Sequence, residues 1–314
     1  MTTHPSSVST TDTSPTTSTQ PDPDLVPGLL PESPGDREAR HPRTPLWRSL
    51  LHGTGLVGSI LVLTVILVGT LGPLFTPYGP TQQIDGAYLL QPGLDHWFGT
   101  DDVNRDIATR VLYGIRTDLL IIFLAVPIGA ALGVIAGLLT VAHPVTDVVA
   151  QRVFDVILAF PALILGITMT AVLGPGAVTV GVVIALAEIP IFGRLTRTSV
   201  LRVRELPYVE AARVSGATTS RILLRHVLPH SLEALSVQFA LSLSLAVFIE
   251  GALSYLGVGV VAPAPSLGSI LAGGNGYLET NPWFSLGPLI VVSILVLGFY
   301  LIAQSISHDR RIRR

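Results

Sequence analysis

The chain has 314 residues, 49% of them hydrophobic and 13% charged, with a mean hydropathy of +0.60 and a formal net charge of −2. That balance excludes an ordinary soluble domain, puts the chain in the membrane class and leaves no basic field for nucleic acid. With no cysteine, disulfides, thiol nucleophiles and Cys-ligated metals are excluded as well, and no zinc-type Cys/His spacing occurs.

Residues 1–45 are dominated by Ser, Thr, Pro and Asp. Too few large apolar side chains are present to offset the entropy of ordering, so a disordered cytoplasmic tail is expected. The charged start and short apolar centre of a secretory signal are missing, and the first apolar run follows Arg48. Residues 46–314 are read as one transmembrane domain.

A membrane helix needs about 20 mostly apolar residues. Measured against that length, the runs at 56–75, 119–142, 149–173, 177–192, 232–258 and 286–306 are expected to span, the fourth of them barely long enough. Gly174-Pro175-Gly176 separates the third from the fourth, because Pro lacks a donor and Gly favours the turn. The expected fold is an all-α integral membrane protein with six transmembrane helices. Basic residues are retained on the cytoplasmic side. All 19 basic residues are Arg, and placing both termini inside puts 16 of them in the cytoplasm and 3 outside, namely Arg105, Arg110 and Arg116.

The polar interval between the fourth and fifth runs, 204–231, then faces the cytoplasm. Pro207 suits the first turn of a short helix, and Gly216 suits its stop, where a positive φ costs little. Thr218 or Thr219 can cap a second helix carrying Ile222, Leu223, Leu224 and Val227, with Pro229 expected to stop it. Ala211 and Ala212 leave room for a partner's backbone, and Glu210, Arg213, Arg221 and Arg225 supply a charged rim. An amphipathic hairpin lying on lipid headgroups is the alternative. The order Glu210-Ala211-Ala212, then Gly216, then Leu228-Pro229 resembles the EAA loop of binding-protein-dependent ABC importers, which docks the permease onto its ATPase. His226-Val227-Leu228-Pro229-His230 is similar to the peptide-type branch, with His230 where Asn is usual.

Two further stretches resemble the C-type permease subunit of dipeptide and oligopeptide transporters. Gly99-Thr100-Asp101-Asp102-Val103-Asn104-Arg105-Asp106, followed by Arg110-Val111-Leu112-Tyr113-Gly114, is similar to its Gly-Thr-Asp-x-x-Gly-Arg-Asp segment. Asn104 stands where Gly is usual and tolerates a left-handed backbone. The acids lack the order of a calcium loop, so a capped extracytoplasmic turn is the plainer reading. Glu250-Gly251-Ala252-Leu253-Ser254-Tyr255-Leu256-Gly257-Val258-Gly259 resembles the Glu-x-x-Leu-Ser-Phe-Leu-Gly-Leu-Gly stretch of the same subunits, with Tyr255 for Phe. A carboxylate at Glu250 avoids lipid by facing the interior or a watery cavity. A place in the translocation pathway with Ser254 and Tyr255, and a polar contact to a neighbouring helix, both satisfy that demand. Glu188, beside Pro190, is read in the same way.

Together the resemblances cover about residues 50–307. They imply a type I ABC importer permease fold in a bacterial inner or plasma membrane. They also imply a companion permease, two ATPase subunits and an extracytoplasmic substrate-binding protein. Peptide-type permeases also serve nickel chelates and glutathione, so the substrate stays open. The chain has no Gly-x-x-x-x-Gly-Lys-Ser/Thr loop, so ATP and Mg are expected on the ATPase partners, with no cofactor, metal or catalytic residue here. An intramembrane enzyme would need a catalytic pair that does not stand out, and a secondary transporter would need repeated broken helices and no docking segment.

Overall fold

Within a bilayer no water satisfies the backbone, so apolar runs close their hydrogen bonds internally as helices. The computed structural model describes residues 50–140, 144–214, 216, 218 and 228–311. The expected tail and residues 219–227, where the second short helix is expected, lie outside the described residues. Those described fall in one unit, Pro45–Arg314.

The elements are α1 (Gly53–Leu71, extended by a 3-10 turn, Gly72–Leu74), α2 (Ile107–Thr140), α3 (Pro144–Ala159), α4 (Ala162–Leu173), α5 (Ala177–Arg204), α6 (Pro207–Val214), α7 (Leu228–Tyr255), α8 (Leu267–Gly274) and α9 (Trp283–Arg311). Helices α1, α2, α5, α7 and α9 are each long and apolar enough to cross a membrane, and α3 with α4 forms a sixth, bent crossing.

Three helices depart from the sequence expectation. The run 149–173 is two helices meeting at 91°. Pro161 has no N–H to continue the ladder of α3, and its ψ of 136° takes the chain out of the helix before α4 begins. Second, α2 begins at Ile107 rather than near 119, and third, α5 runs past 192 to Arg204. A charge-free window ends at the first ionised residue, whereas these helices continue through Arg110, Asp118, Arg194 and Arg197, each held by partners inside the chain. In addition, Pro229 lies inside a helix that begins at Leu228. It is the second residue of α7, where its missing N–H is one of the unpaired donors of a first turn.

Close glycine contacts define the helix directions. Gly129, Gly133 and Gly137, on one face of α2, lie so near α5 that a Cβ would come within 2.5 to 2.6 Å of the carbonyl oxygens of Ala185, Ile189 and Gly193. Successive contacts advance by four residues on both helices, so α2 and α5 run parallel with their backbones in contact. By the same reasoning Gly69 against Ile115 and Gly72 against Leu112 make α1 and α2 antiparallel. Gly58 against Gly298 and Ile302, with Gly298 against Val62, makes α1 and α9 antiparallel. A parallel α2–α5 pair requires α3 and α4 to carry the chain back across the bundle, despite their bend. Consequently the start of α1, the end of α2, the end of α5, the start of α7 and the end of α9 share one end of the molecule. This is the basic end; the other is called the outer end below.

The interior between α1, α2, α5, α7 and α9 is filled by Ile122, Val126, Val183, Val247, Leu253 and Leu295. Large apolar side chains such as Leu63, Leu124, Ile128, Phe248 and Leu297 point outward, as a lipid-facing surface requires. A substitution tests the glycine seam. Gly133→Leu forces α2 off α5 and should remove most folded, protease-resistant protein from membranes, since overpacking costs about 1–3 kcal/mol or more. Gly251→Ala, whose Cβ meets nothing within 4 Å, should leave that level unchanged when both are read by detergent size-exclusion.

Candidate functional site

At the basic end, α5 leaves the bundle and turns at Glu205 and Leu206 into α6. Pro207 opens α6, as its fixed φ favours. Val209 is fully buried against Val200 and Val203 of α5, with Leu138 of α2 and Leu206 closing the cluster. That apolar anchor ties α6 to the ends of both parallel helices. The opposite face is open: Glu210 is exposed, Val214 is 85% exposed and Gly216 has no atom within 4 Å of a built Cβ. Gly216 adopts φ +82°, just beyond the helix end. The backbones of Ala211, Ala212 and Arg213 lie in α6, and those of Leu228 and Pro229 open α7, which places the described flanks of the 204–231 interval at one end of the molecule.

At the outer end, residues 99–106 form a closed turn ahead of α2. Asp101 is fully buried and accepts the N–H groups of Val103 and Arg105 and the Arg105 Nε at 2.7 Å. Arg110, one turn into α2, stands 3.7 Å from the same carboxylate and donates to the Pro80 carbonyl. Asp106 accepts the Thr109 N–H at 2.7 Å, capping α2, and pairs with His96 Nδ1 at 2.9 Å. Thr100 bridges strand-like to Asp106, donates to the Ala87 carbonyl and accepts the Leu90 N–H. Gly99 at φ +75° is packed against the Leu90 carbonyl and Asn281, and Asn104 takes φ +64°. These acids serve the turn itself, and no cluster suited to a metal ion occurs among the described residues.

Glu188 and Glu250 are each 1% exposed and stand on different helices. Glu188 accepts the Ser242 hydroxyl of α7 at 2.6 Å, and Glu250 accepts the Ser254 hydroxyl at 2.7 Å. The structure does not bring the two acids together. Ser254 and Tyr255 border a cavity of about 220 Å³ at the outer end, lined also by Asp101, Arg105, Arg110 and Ser269. Glu250 is Ser254's partner behind that wall.

Sequence reasoning missed two features. Asp118, inside α2, accepts the Leu267 N–H that begins α8. The second is a ladder between antiparallel α3 and α5: Asp147 takes Arg197 through two bonds of 2.6 Å, and Asp155 takes Arg194. The Asp155–Arg194 pair is half exposed, at 53% and 41%, on a chain surface about 15 Å along the axis from the end of α5. The spacing Asp147, Asp155 against Arg194, Arg197 carries opposite signs on two neighbouring runs, which is the only signal the sequence holds for it.

The geometry is that of a polytopic helical membrane protein with a short helix at one end whose outer face is open. Residues 129–314 match the family described as binding-protein-dependent transport system inner membrane component. The chain belongs to this family. It is similar to the dipeptide transport system permease protein DppC of Alkalihalophilus pseudofirmus, with 37% identity over 80% of this chain and 83% of that one. Its similarity to the glutathione transport system permease protein GsiD of Pectobacterium atrosepticum is 31% identity over 86% and 91% of the two chains. In structure it matches a chain of the MetNI methionine ABC transporter in an inward-facing conformation. The TM-score is 0.52 at 23% identity, over 65% of this chain and 96% of that one. This likeness shows the fold.

Asp101 organises the outer turn through charge-assisted bonds, each worth about 1.5–3 kcal/mol when its donors lose their partner. Asp101→Ala should therefore open the 78–106 segment to protease from the outer side while leaving the five long helices in the membrane, and an unchanged cleavage pattern would show that the turn holds without it.

Proposed function

We propose that this chain is one half of the membrane channel of an ATP-driven importer for dipeptides and oligopeptides, paired with a companion permease. Two ATPase subunits would sit at the basic end and a substrate-binding protein at the outer end. The observation that carries the reading is α6, anchored by Val209 to the ends of α5 and α2 with Glu210, Val214 and Gly216 turned away from the bundle. A partially apolar, charged, small-residue surface of this kind fits a protein partner better than bare headgroups, because Val214 is apolar and Gly216 offers backbone. The Arg partition supports a cytoplasmic position for this end.

Mechanically, α5 is a continuous rod of about 42 Å from the outer end to α6. ATPase closure would move α6, and α5 with α2 would follow as one body, since their backbones leave no room to slide apart. Outside the chain, the half-exposed Arg194–Asp155 pair asks for cover by the companion permease or by water, since charges facing lipid cost a few kcal/mol. Glu250, Ser254, Tyr255 and Glu188 are the residues of this half assigned to the passage or its walls. Dipeptide and glutathione permeases among the relatives both concern short peptides, which favours that substrate class over nickel chelates.

Gly216→Val tests the docking role. A β-branched residue at φ +82° costs roughly 1–2 kcal/mol of backbone strain without any clash, so ATPase copurification should fall about five- to thirtyfold at unchanged membrane level. Uptake of labelled dipeptide should fall with it. Normal copurification would detach α6 from coupling, and uptake without any ATPase would make the chain a self-sufficient carrier.

Sidedness has its own check. The chain has no cysteine, so single cysteines at the exposed Glu210 and at Leu94, 97% exposed in the outer connection, report alone, and a membrane-impermeant maleimide applied to whole cells should label only the second.

A further inference from the structure

Asp118 has no part in the transport reading, yet it lies where three helices meet. It is 1% exposed, and its Oδ2 accepts the Leu267 N–H of α8 at 3.1 Å. Glu250 on α7, equally buried, accepts the Ser254 hydroxyl on Oε1. The start of α8 wedges between these two helices: a Cβ on Gly114 of α2 would meet Leu267 N at 3.2 Å, and Gly268 rests on the Gly251 carbonyl and Ser254 of α7. The two buried carboxyl groups are thereby set side by side.

Two carboxylates cannot bond one another, because both are acceptors only. Asp118 Oδ1 is buried and receives no donor hydrogen. Ser254 cannot supply one, since its hydrogen goes to Glu250 and its oxygen accepts the Val260 N–H at 2.9 Å. Arg110, two turns earlier on α2, is engaged by Asp101 and the Pro80 carbonyl, and Arg105 is held by Asp101. Asp102 lines the cavity on the far side of Ser254 and adds only negative charge.

We propose that Asp118 and Glu250 bind one proton between them, carried on Asp118 Oδ1 and donated to the Glu250 carboxylate. The bridge makes Asp118 a positioning residue: it pins α8 and the 256–266 turn to α2 and α7 beside the outer cavity. One shared proton removes one of two like charges from a site with no cation beside it, leaving a single charge that Ser254 and the α8 N-terminus can stabilise.

The test uses the assembled importer in lipid nanodiscs. Infrared spectra of the wild type should contain the C=O stretch of a protonated carboxylic acid that shifts on isotopic labelling of aspartate and vanishes in Asp118→Asn. In membranes, Asp118→Leu should cut the folded chain about tenfold or more, because it leaves the buried Glu250 charge with the Ser254 hydroxyl but without its acid partner, and the Leu267 N–H without an acceptor. The Asn variant, whose amide donates where the acid did, should restore it to within about twofold. An aspartic acid band missing from the wild type, or surviving in Asp118→Asn, overturns the proposal, as does an Asn variant no better than Leu. A folded level that follows sodium concentration in place of the band would put a cation there and overturn it too.

Discussion

Everything at the basic end depends on the seam between α2 and α5. Three glycines spaced four apart remove the side chains that would hold two helices at ordinary distance, and in lipid the resulting dispersion and backbone contact do the work that hydrophobic burial does in water. The contacts are parallel, which decides connectivity as well as packing. Because the chain must return to the outer end before α5 can start, α3 and α4 are obliged to cross in the space left beside the seam. Gly166 against Leu253 and Thr170 bonded to the Val258 carbonyl hold α4 on the flank of α7.

The two ends of the bundle are built differently. At the outer end, long connections are closed by buried polar bonds: Asp101 with Arg105, Asp106 with His96 and Thr109, and Asn281 donating to the Phe98 carbonyl. At the basic end, apolar anchoring through Val209 leaves the polar face of α6 open. The outer end is thus closed by polar bonds within the chain, while the basic end presents an open face.

Much of the architecture was legible from apolar run length, and the polar 204–231 interval stood out between the runs. The Gly174-Pro175-Gly176 break, the start at Pro207 and the positive φ of Gly216 and Asn104 followed from local backbone chemistry. Helix lengths did not, because a charge-free window cannot know that Arg110, Arg194 and Arg197 will find carboxylates on other elements. Pro161 was hidden inside an apolar run, where its missing N–H has no compositional signature. Asp118 and the α3–α5 ladder were hard to read for a related reason: their meaning resides in contacts across sequence separations of 39 to 149 residues.

The bend between α3 and α4 bears on biosynthesis. A helix of 12 residues extends about 18 Å, well short of a hydrocarbon slab of about 30 Å. By length alone α4 is a poor stop for an insertion channel, and α3 carries Asp147, Arg152 and Asp155 into the same passage. Asp155 has Arg152 on its own helix, but Asp147 gains Arg197, and Asp155 its closer partner Arg194, only when α5 has been synthesised. The hydrophobic α5, entering behind them, supplies at once the glycine-lined seam for α2 and the guanidinium groups for α3, so the third crossing is completed by the fourth.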